Sequence, residues 1–313
     1  MKKGKTQDQA ALIVAFKADL KDRNLSADTV TQYPQYVHTF YDFTGGDLLG
    51  VDDETLIRYL AHLRQRELGQ STIKRYFASL AAFYDFLMFK KQIAANPVSS
   101  MFRKRYLKDR KTHDTSQRRQ CITVDQAKLL VGSILDNRER AVVVLLLKTG
   151  LRRHELSELD LDDVDLPNQT IRLKPTAKRS FETAFIDDET IFVLNRWIKE
   201  REKENNEQIP ALFLDKFGNR LSKQAIGRIV RKHAVVVGLH DPNSTRKQLQ
   251  KRFSSHCCRH YFTNSLDEAG MKENFIQELR GDTGHDASDT YTHISKEKLK
   301  RAYLDLVPQL DLL

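Results

Sequence analysis

Over the first 95 residues, apolar and aromatic positions recur at steps of three and four, a period that predicts amphipathic helices rather than strands. Four such helices can be read. The first covers residues 9–21 and aligns Leu12, Ile13, Phe16 and Leu20 on one face. The second, capped by Ser26, carries Val30, Tyr33, Val37, Phe40 and Phe43, and Pro34 is expected to kink it or delay its start. The Gly45-Gly46 pair ends it. A third helix over residues 53–66 presents Leu56, Tyr59, Leu60 and Leu63, and a fourth with Ser71 as N-cap presents Ile73, Phe77, Leu80, Tyr84 and Leu87. At these spacings the aromatic residues read as core rather than as stacking platforms.

The pattern then breaks. Residues 96–120 hold too little apolar content for a core of their own and read as a basic interdomain linker. A second domain starts near Cys121, where Thr123 and Gln126 have the spacing of a capping box. The apolar run 141–147 predicts a buried helix stopped by Gly150. Beyond it the period changes to two. Residues 164–165, 170–174 and 183–186 alternate between turn-forming stretches and predict a small antiparallel sheet. From Asp188 onward the helical period returns. The expected fold is mainly α with a small antiparallel β-sheet: a helical domain at 1–95, a linker at 96–120 and a second domain at 121–313.

Composition narrows the function classes. The chain has 313 residues, and its longest apolar run is seven, against the roughly 20 needed to span a bilayer. The lysine-bearing N-terminus lacks the apolar stretch of a secretory leader, so the expected location is the cytoplasm. Cys121, Cys257 and Cys258 fit neither a disulfide scaffold nor a metal-ligand ladder, and no metal is expected. With 52 Lys+Arg against 42 Asp+Glu the formal charge is +10. Residues 101–120 alone carry eight Lys/Arg against two Asp. An excess this localised suits a polyanionic partner.

Three polar constellations stand out in the second domain: Thr149-Gly150-Leu151-Arg152 followed by Glu155-Leu156; His256, Arg259 and His260 in HCCRHYF; and Tyr291 with His293 in DTYTHI. In this order and near these separations they resemble the tyrosine recombinase (phage integrase) family, and the helices of residues 1–95 are similar to that family's SAM-like core-binding domain. The LRGD segment and the YLDLVPQL tail are most similar to integrases of archaeal viruses and plasmids.

The resemblance implies a site-specific recombinase or integrase of a mobile element that cleaves and rejoins DNA through a 3′-phosphotyrosyl link, with neither metal nor nucleotide cofactor. Arg152 and Arg259 would clamp the non-bridging oxygens of the scissile phosphate, whose charge grows in the transition state. Tyr291 would attack, and His256 would manage protons. A lysine in the turn between two strands would protonate the departing 5′ oxygen. Lys174, Lys178 and Arg179 compete for that place, and Lys178, just before the third strand, is chosen. The family's Gly-His pair nine residues before the nucleophile falls on Gly281-Asp282, whereas Gly284-His285 lies six before it. Either Asp282 or His285 fills the role. His260 is expected to pack its helix, Cys257 and Cys258 to be buried and inert, and Glu155 to orient Arg152.

Double-stranded DNA is the expected partner. Arg103, Lys104, Arg105, Lys108, Arg110 and Lys111 of the linker suit phosphate neutralisation. A helix over residues 221–237, capped by Ser222, exposes Lys223, Arg228, Arg231 and Lys232 as a candidate for groove insertion. The amphipathic tail from Ser295 carries Leu299, Tyr303, Leu306, Val307 and Leu310; family members commonly dock such a tail on a neighbour, which would give a tetramer on DNA, although cis packing suits the stripe nearly as well. A type IB topoisomerase and a DNA binder without catalysis share parts of the same pattern.

Overall fold

The computed structural model describes residues 3–108, 120–175, 181–203, 209–245, 248–281 and 294–313. Two compact units divide the chain, Met1–His113 and Asp114–Leu313.

The first unit is helical: α1 (Lys3–Asp22), α2 (Ala27–Phe43), α3 (Asp53–Gln65), α4 (Gln70–Phe89) and α5 (Ser100–Tyr106). Phe16, Val37, Phe40, Tyr59, Phe77, Phe83 and Leu87 meet in its core. Phe16 and Phe83 lie edge to face with centroids 5.4 Å apart, so the aromatic residues build the interior, as their spacing predicts. Ser26 and Asp52 accept from the backbone N–H of Thr29 and Thr55 and start α2 and α3.

Three sequence expectations are corrected in this unit. Pro34 does not delay α2, which starts at Ala27; it lies buried inside the helix, where one ladder N–H is lost. Gly69, not Ser71, is the N-cap of α4. The segment expected to be linker contains α5, whose Phe102, with the flanking Val98 and Leu107, is buried in the first core. Three apolar residues among many cations suffice there because the other helices supply the rest of that core. The cations of α5 ride on its outer side.

The second unit opens with α6 (Val124–Gly132), started by the predicted capping box: Thr123 accepts from Gln126 N–H while Gln126 accepts from Thr123 N–H. Next comes α7 (Asn137–Thr149), buried along the whole 141–147 run. Then follow α8 (Arg153–Ser157), the antiparallel strands β1 (Val164–Asp165), β2 (Thr170–Arg172) and β3 (Thr183–Phe185) in sheet order β1-β2-β3, α9 (Asp188–Lys203), α10 (Lys223–Val236), α11 (Ser255–Glu268), α12 (Glu273–Arg280) and α13 (Lys296–Leu306). Register is Ile171 opposite Val164 on one side and opposite Ala184 on the other, with Ile171 in the core. The helix α7 lies against α9 and α11.

At the C-terminal end of α7 the interior holds charge. Lys148 is buried, and its Nζ donates to Asp187 Oδ2 and to Glu189 Oε2, each at 2.5 Å. Both oxygens of Glu189 also accept main-chain N–H groups from the tail, Leu310 at 2.7 Å and Leu312 at 2.9 Å. Tyr303 of α13 donates to the Lys148 carbonyl at 3.0 Å. Leu299, Tyr303, Val307 and Leu310 are buried, so the tail packs on its own unit, the cis arrangement. Burial pushes the Tyr303 phenol well above the ordinary tyrosine range, which keeps it a donor.

Gly150 ends α7 in the left-handed region at φ +61°. A Cβ there would stand 2.4 Å from Cδ1 of Phe262 on α11. Backbone and packing both demand glycine.

Two stability predictions follow from these contacts, both readable in the fluorescence of Trp197, the sole tryptophan, whose Nε1 donates to Leu212 O inside the second unit. Lys148→Ala strands two carboxylates in an apolar interior and is expected to cost about 3–5 kcal/mol in urea unfolding. Gly150→Ala adds about 1 kcal/mol of backbone strain to about 1–3 kcal/mol of overpacking against Phe262. A midpoint unchanged from wild type in either variant would contradict the corresponding contact.

Candidate active site

The turn at Gly150 brings the chain from the buried end of α7 to the start of α8. Leu151 drops into the core, and Arg152 becomes the N-cap of α8. One carboxylate holds this residue at both ends: Glu155 accepts the Arg152 backbone N–H at 2.7 Å and its Nη1 at 3.0 Å. The Glu155 side chain is 2% exposed and that of Arg152 is 24% exposed. The acid is therefore fixed inside, while the guanidinium it orients reaches the surface. A buried carboxylate with two charge-assisted or backbone donors has little rotational freedom, and neither has its partner.

Arg259, on α11, approaches the same turn from the other side. It is buried, and donates Nη1 to the Gly150 carbonyl at 2.7 Å and Nη2 to the Arg280 carbonyl at 3.0 Å. Arg280 is the last residue of α12, so a cation sits where that helix presents its unsatisfied carbonyls. Arg152 and Arg259 thus converge on Gly150, the first two residues downstream of it and the second bonded to its carbonyl. His256, three residues before Arg259 on α11, is exposed. His260 lies edge-on to His256 with ring centroids 4.7 Å apart. It is exposed as well, which corrects the expectation that it packs its helix; the helical step of four places it beside His256 on the outer face.

Cys257 and Cys258 are fully buried between these polar positions. Burial pushes the Cys258 thiol well above its ordinary range, so it holds its proton and supplies no nucleophile. Lys174, the competitor of Lys178, is engaged elsewhere: its Nζ donates to Asp160 Oδ2 at 2.8 Å, and Arg220 pairs with the other oxygen of the same carboxylate. Burial acts to raise the Asp160 carboxyl, but the hydrogen bonds from Lys174 and Arg220 outweigh it and hold the group below the usual carboxylate range. The paired strands β2 and β3 flank the stretch that carries Lys178. Lys178, Asp282, His285, Tyr291 and His293 lie outside the described residues, as do Arg110 and Lys111.

The basic candidates separate between the two units. Arg103, Lys104, Arg105 and Lys108 are exposed on or just after α5, and all but Arg105 join Lys74 in lining a groove of about 710 Å³. Arg105 lies 5.7 Å from the Tyr106 ring. On α10, started by Ser222 as predicted, Arg228 and Arg231 are exposed and Lys223 is half-buried. Among the described residues no group of three or more His, Cys, Asp or Glu could hold a metal ion, and no helix is long and apolar enough to cross a membrane.

Sequence reasoning missed Lys148 with its partners and the Arg280 carbonyl. A lysine directly after seven apolar residues was a signal that an acid must be found for it, but Asp187 and Glu189 stand about forty residues away. The Arg280 carbonyl carries no side-chain signal at all.

Residues 120–298 match the phage integrase family, and residues 13–91 match its N-terminal SAM-like domain. The tyrosine recombinase XerC of Natranaerobius thermophilus is 29% identical over 195 residues, 58% of this chain and 60% of that one. The tyrosine recombinase XerD of Bifidobacterium longum is 30% identical over 202 residues, 60% of this chain and 62% of that one. The chain thus spans between about half and about three fifths of the length of the curated relatives it matches. A crystal structure of a lambda integrase (75–356) dimer bound to a core site superposes with a TM-score of 0.66 at 15% identity, covering 91% of this chain and 98% of that one, a likeness of fold. The family match covers more than half of the chain and includes Arg152, His256, Arg259 and Tyr291. The chain belongs to the phage integrase family.

Proposed function

We propose that this protein is a site-specific DNA recombinase, an integrase that cuts and rejoins strands through a covalent tyrosine intermediate. The observation that carries the reading is the convergence of Arg152 and Arg259 on Gly150, with His256 one turn before Arg259 on the same helix. Two guanidinium forks at one turn suit a phosphodiester whose non-bridging oxygens gain charge in the transition state.

In the proposed step the phenolic oxygen of Tyr291 forms a bond to phosphorus as the bond from phosphorus to the 5′ oxygen breaks. The phenol proton passes to His256, and Lys178 delivers a proton to the departing 5′ oxygen. The product is a 3′-phosphotyrosyl link and a 5′-hydroxyl. Because the phosphoester bond is exchanged rather than hydrolysed, a 5′-hydroxyl from a second strand can reverse the step. His285 or Asp282 supports the phosphate from the segment ahead of Tyr291. Arg152 keeps its orientation from Glu155, so the carboxylate acts through the arginine.

The partner is double-stranded DNA bearing specific sites. Arg103, Lys104, Arg105, Lys108, Arg110 and Lys111 in the first unit, and Lys223, Arg228 and Arg231 on α10, neutralise backbone phosphates; their charge supports this, as does the exposure of those described apart from the half-buried Lys223. The working assembly is a tetramer on two sites, and Glu189, which accepts the tail of its own chain, would accept the tail of a neighbour in the same manner. The place of action is the cytoplasm, with the DNA.

A duplex nicked beside the cleavage position traps the covalent step. Wild type is expected to form a protein–DNA adduct resolved on a denaturing gel, and Tyr291→Phe to form none. Arg152→Ala should bind the duplex but cleave about 10²–10³-fold more slowly, roughly 3–4 kcal/mol of barrier. An adduct that survives Tyr291→Phe overturns the role of that tyrosine, and cleavage unchanged in Arg152→Ala overturns the role of the arginine. Relaxation of supercoils with no joining between two sites would point to a topoisomerase instead.

A further inference from the structure

The residue after Arg152 has no part in the proposed clamp, yet it is a second arginine. Arg153 is exposed at the start of α8, and its Nη1 lies 3.4 Å from where a Cβ of Gly227 would stand. Gly227 belongs to α10 and is buried, so the guanidinium rests against the bare backbone of that helix. Arg231, one turn further along α10, is exposed and donates its Nε to the Gly227 carbonyl at 3.2 Å. Two guanidiniums therefore flank one glycine. Among the described residues, neither is paired with a carboxylate.

Two guanidiniums beside one glycine raise the positive potential there, which favours an anion at that place. The geometry also limits which anion. Arg152 and Arg153 branch from consecutive Cα atoms about 3.8 Å apart, so a polyanion that reaches both side chains offers them groups from one short stretch of itself. Adjacent phosphates along a nucleic-acid strand have that relation. A guanidinium presents a planar fork to phosphate oxygens. Arg231, anchored through Nε, keeps its terminal nitrogens for a ligand.

We propose that Arg153 and Arg231 together bind a backbone phosphate neighbouring the scissile one, so that Arg153 is a positioning residue: it fixes the strand relative to Arg152 and α10. This rests on the recombinase reading for the identity of the polyanion. It adds to that reading a contact between the turn carrying the clamp and the helix assigned to the groove.

The test is binding of a fluorescent duplex by the full chain at a series of salt concentrations, for wild type, Arg153→Ala, Arg153→Lys, Arg231→Ala and, as a control for charge loss elsewhere, Lys199→Ala on the exposed side of α9. Trp197 emission verifies that each variant is folded. Arg153→Ala and Arg231→Ala should each lower the slope of log affinity against log salt by about one unit with sequence preference unchanged. Arg153→Lys should keep the slope but lose part of the affinity, because charge remains and the fork does not. Lys199→Ala should match wild type. A series of duplexes with one neutral methylphosphonate each, next to the cleavage position, should include one that weakens wild type several-fold and leaves Arg153→Ala unaffected. A slope in Arg153→Ala equal to that of wild type, or full additivity at every methylphosphonate, overturns the proposal, as does a wild type that binds no duplex. The nicked-substrate adduct is read separately. An adduct with no Arg153 effect removes only this inference, whereas an Arg153 effect without an adduct removes only the strand-cleavage reading.

Discussion

A lysine ammonium cannot be left alone inside an apolar core, and the second unit is arranged around that constraint at the end of α7. Lys148 follows seven buried aliphatic residues, so its charge is carried inward by the same helix that forms the centre of the core. Its neutralisation requires two carboxylates from the junction of β3 and α9, which fixes that junction against α7. Glu189 in turn has oxygen capacity left over, which the tail amides fill. Strand, helix and tail therefore share one polar point. Such clusters add little to stability compared with a well-packed apolar alternative, but breaking one is severe, and this gives the arrangement a single register.

What depends on that register is the turn two residues further on. Gly150 lends its carbonyl to Arg259 and leads the chain to Arg152. The positions of both guanidiniums are set by a backbone conformation that only glycine takes without strain, wedged against Phe262. Polar groups aimed in advance at a developing charge need no reorganisation as it appears, which is the main source of electrostatic catalysis. Arg259 is held in advance by two donors spent on main-chain carbonyls, and Arg152 by its tie to Glu155, the kind of fixed placement that the proposed clamp requires. The intervening cysteines stay apolar filling.

The helical period, the capping box at Thr123 and Gln126, the stop at Gly150 and the alternation of the three strands were all legible in the sequence because each is a local signal. Arg152, Arg259 and His256, which the fold brings to one turn, were picked out in the sequence by a motif. The features that escaped are those decided by distant partners. Pro34 is tolerated within α2 because tertiary burial outweighs one missing hydrogen bond. Helix α5 hides in a basic stretch, since its three apolar anchors count only once a core exists to receive them. The acids serving Lys148 come from another part of the chain, and the Arg259 acceptors are backbone oxygens that no residue type reveals.

Glu189 grips the tail through peptide nitrogens, with Leu310 as the buried side chain beside them. Asp311, between the two gripped positions, pairs with Lys128 at the surface. A receptor of this kind reads main chain first and side chains second. The last residues can therefore drift over generations and still seat, provided a fitting aliphatic group stays at 310, no proline, which has no N–H to offer, enters 310 or 312, and 311, at φ +58°, keeps a residue that accepts the left-handed region.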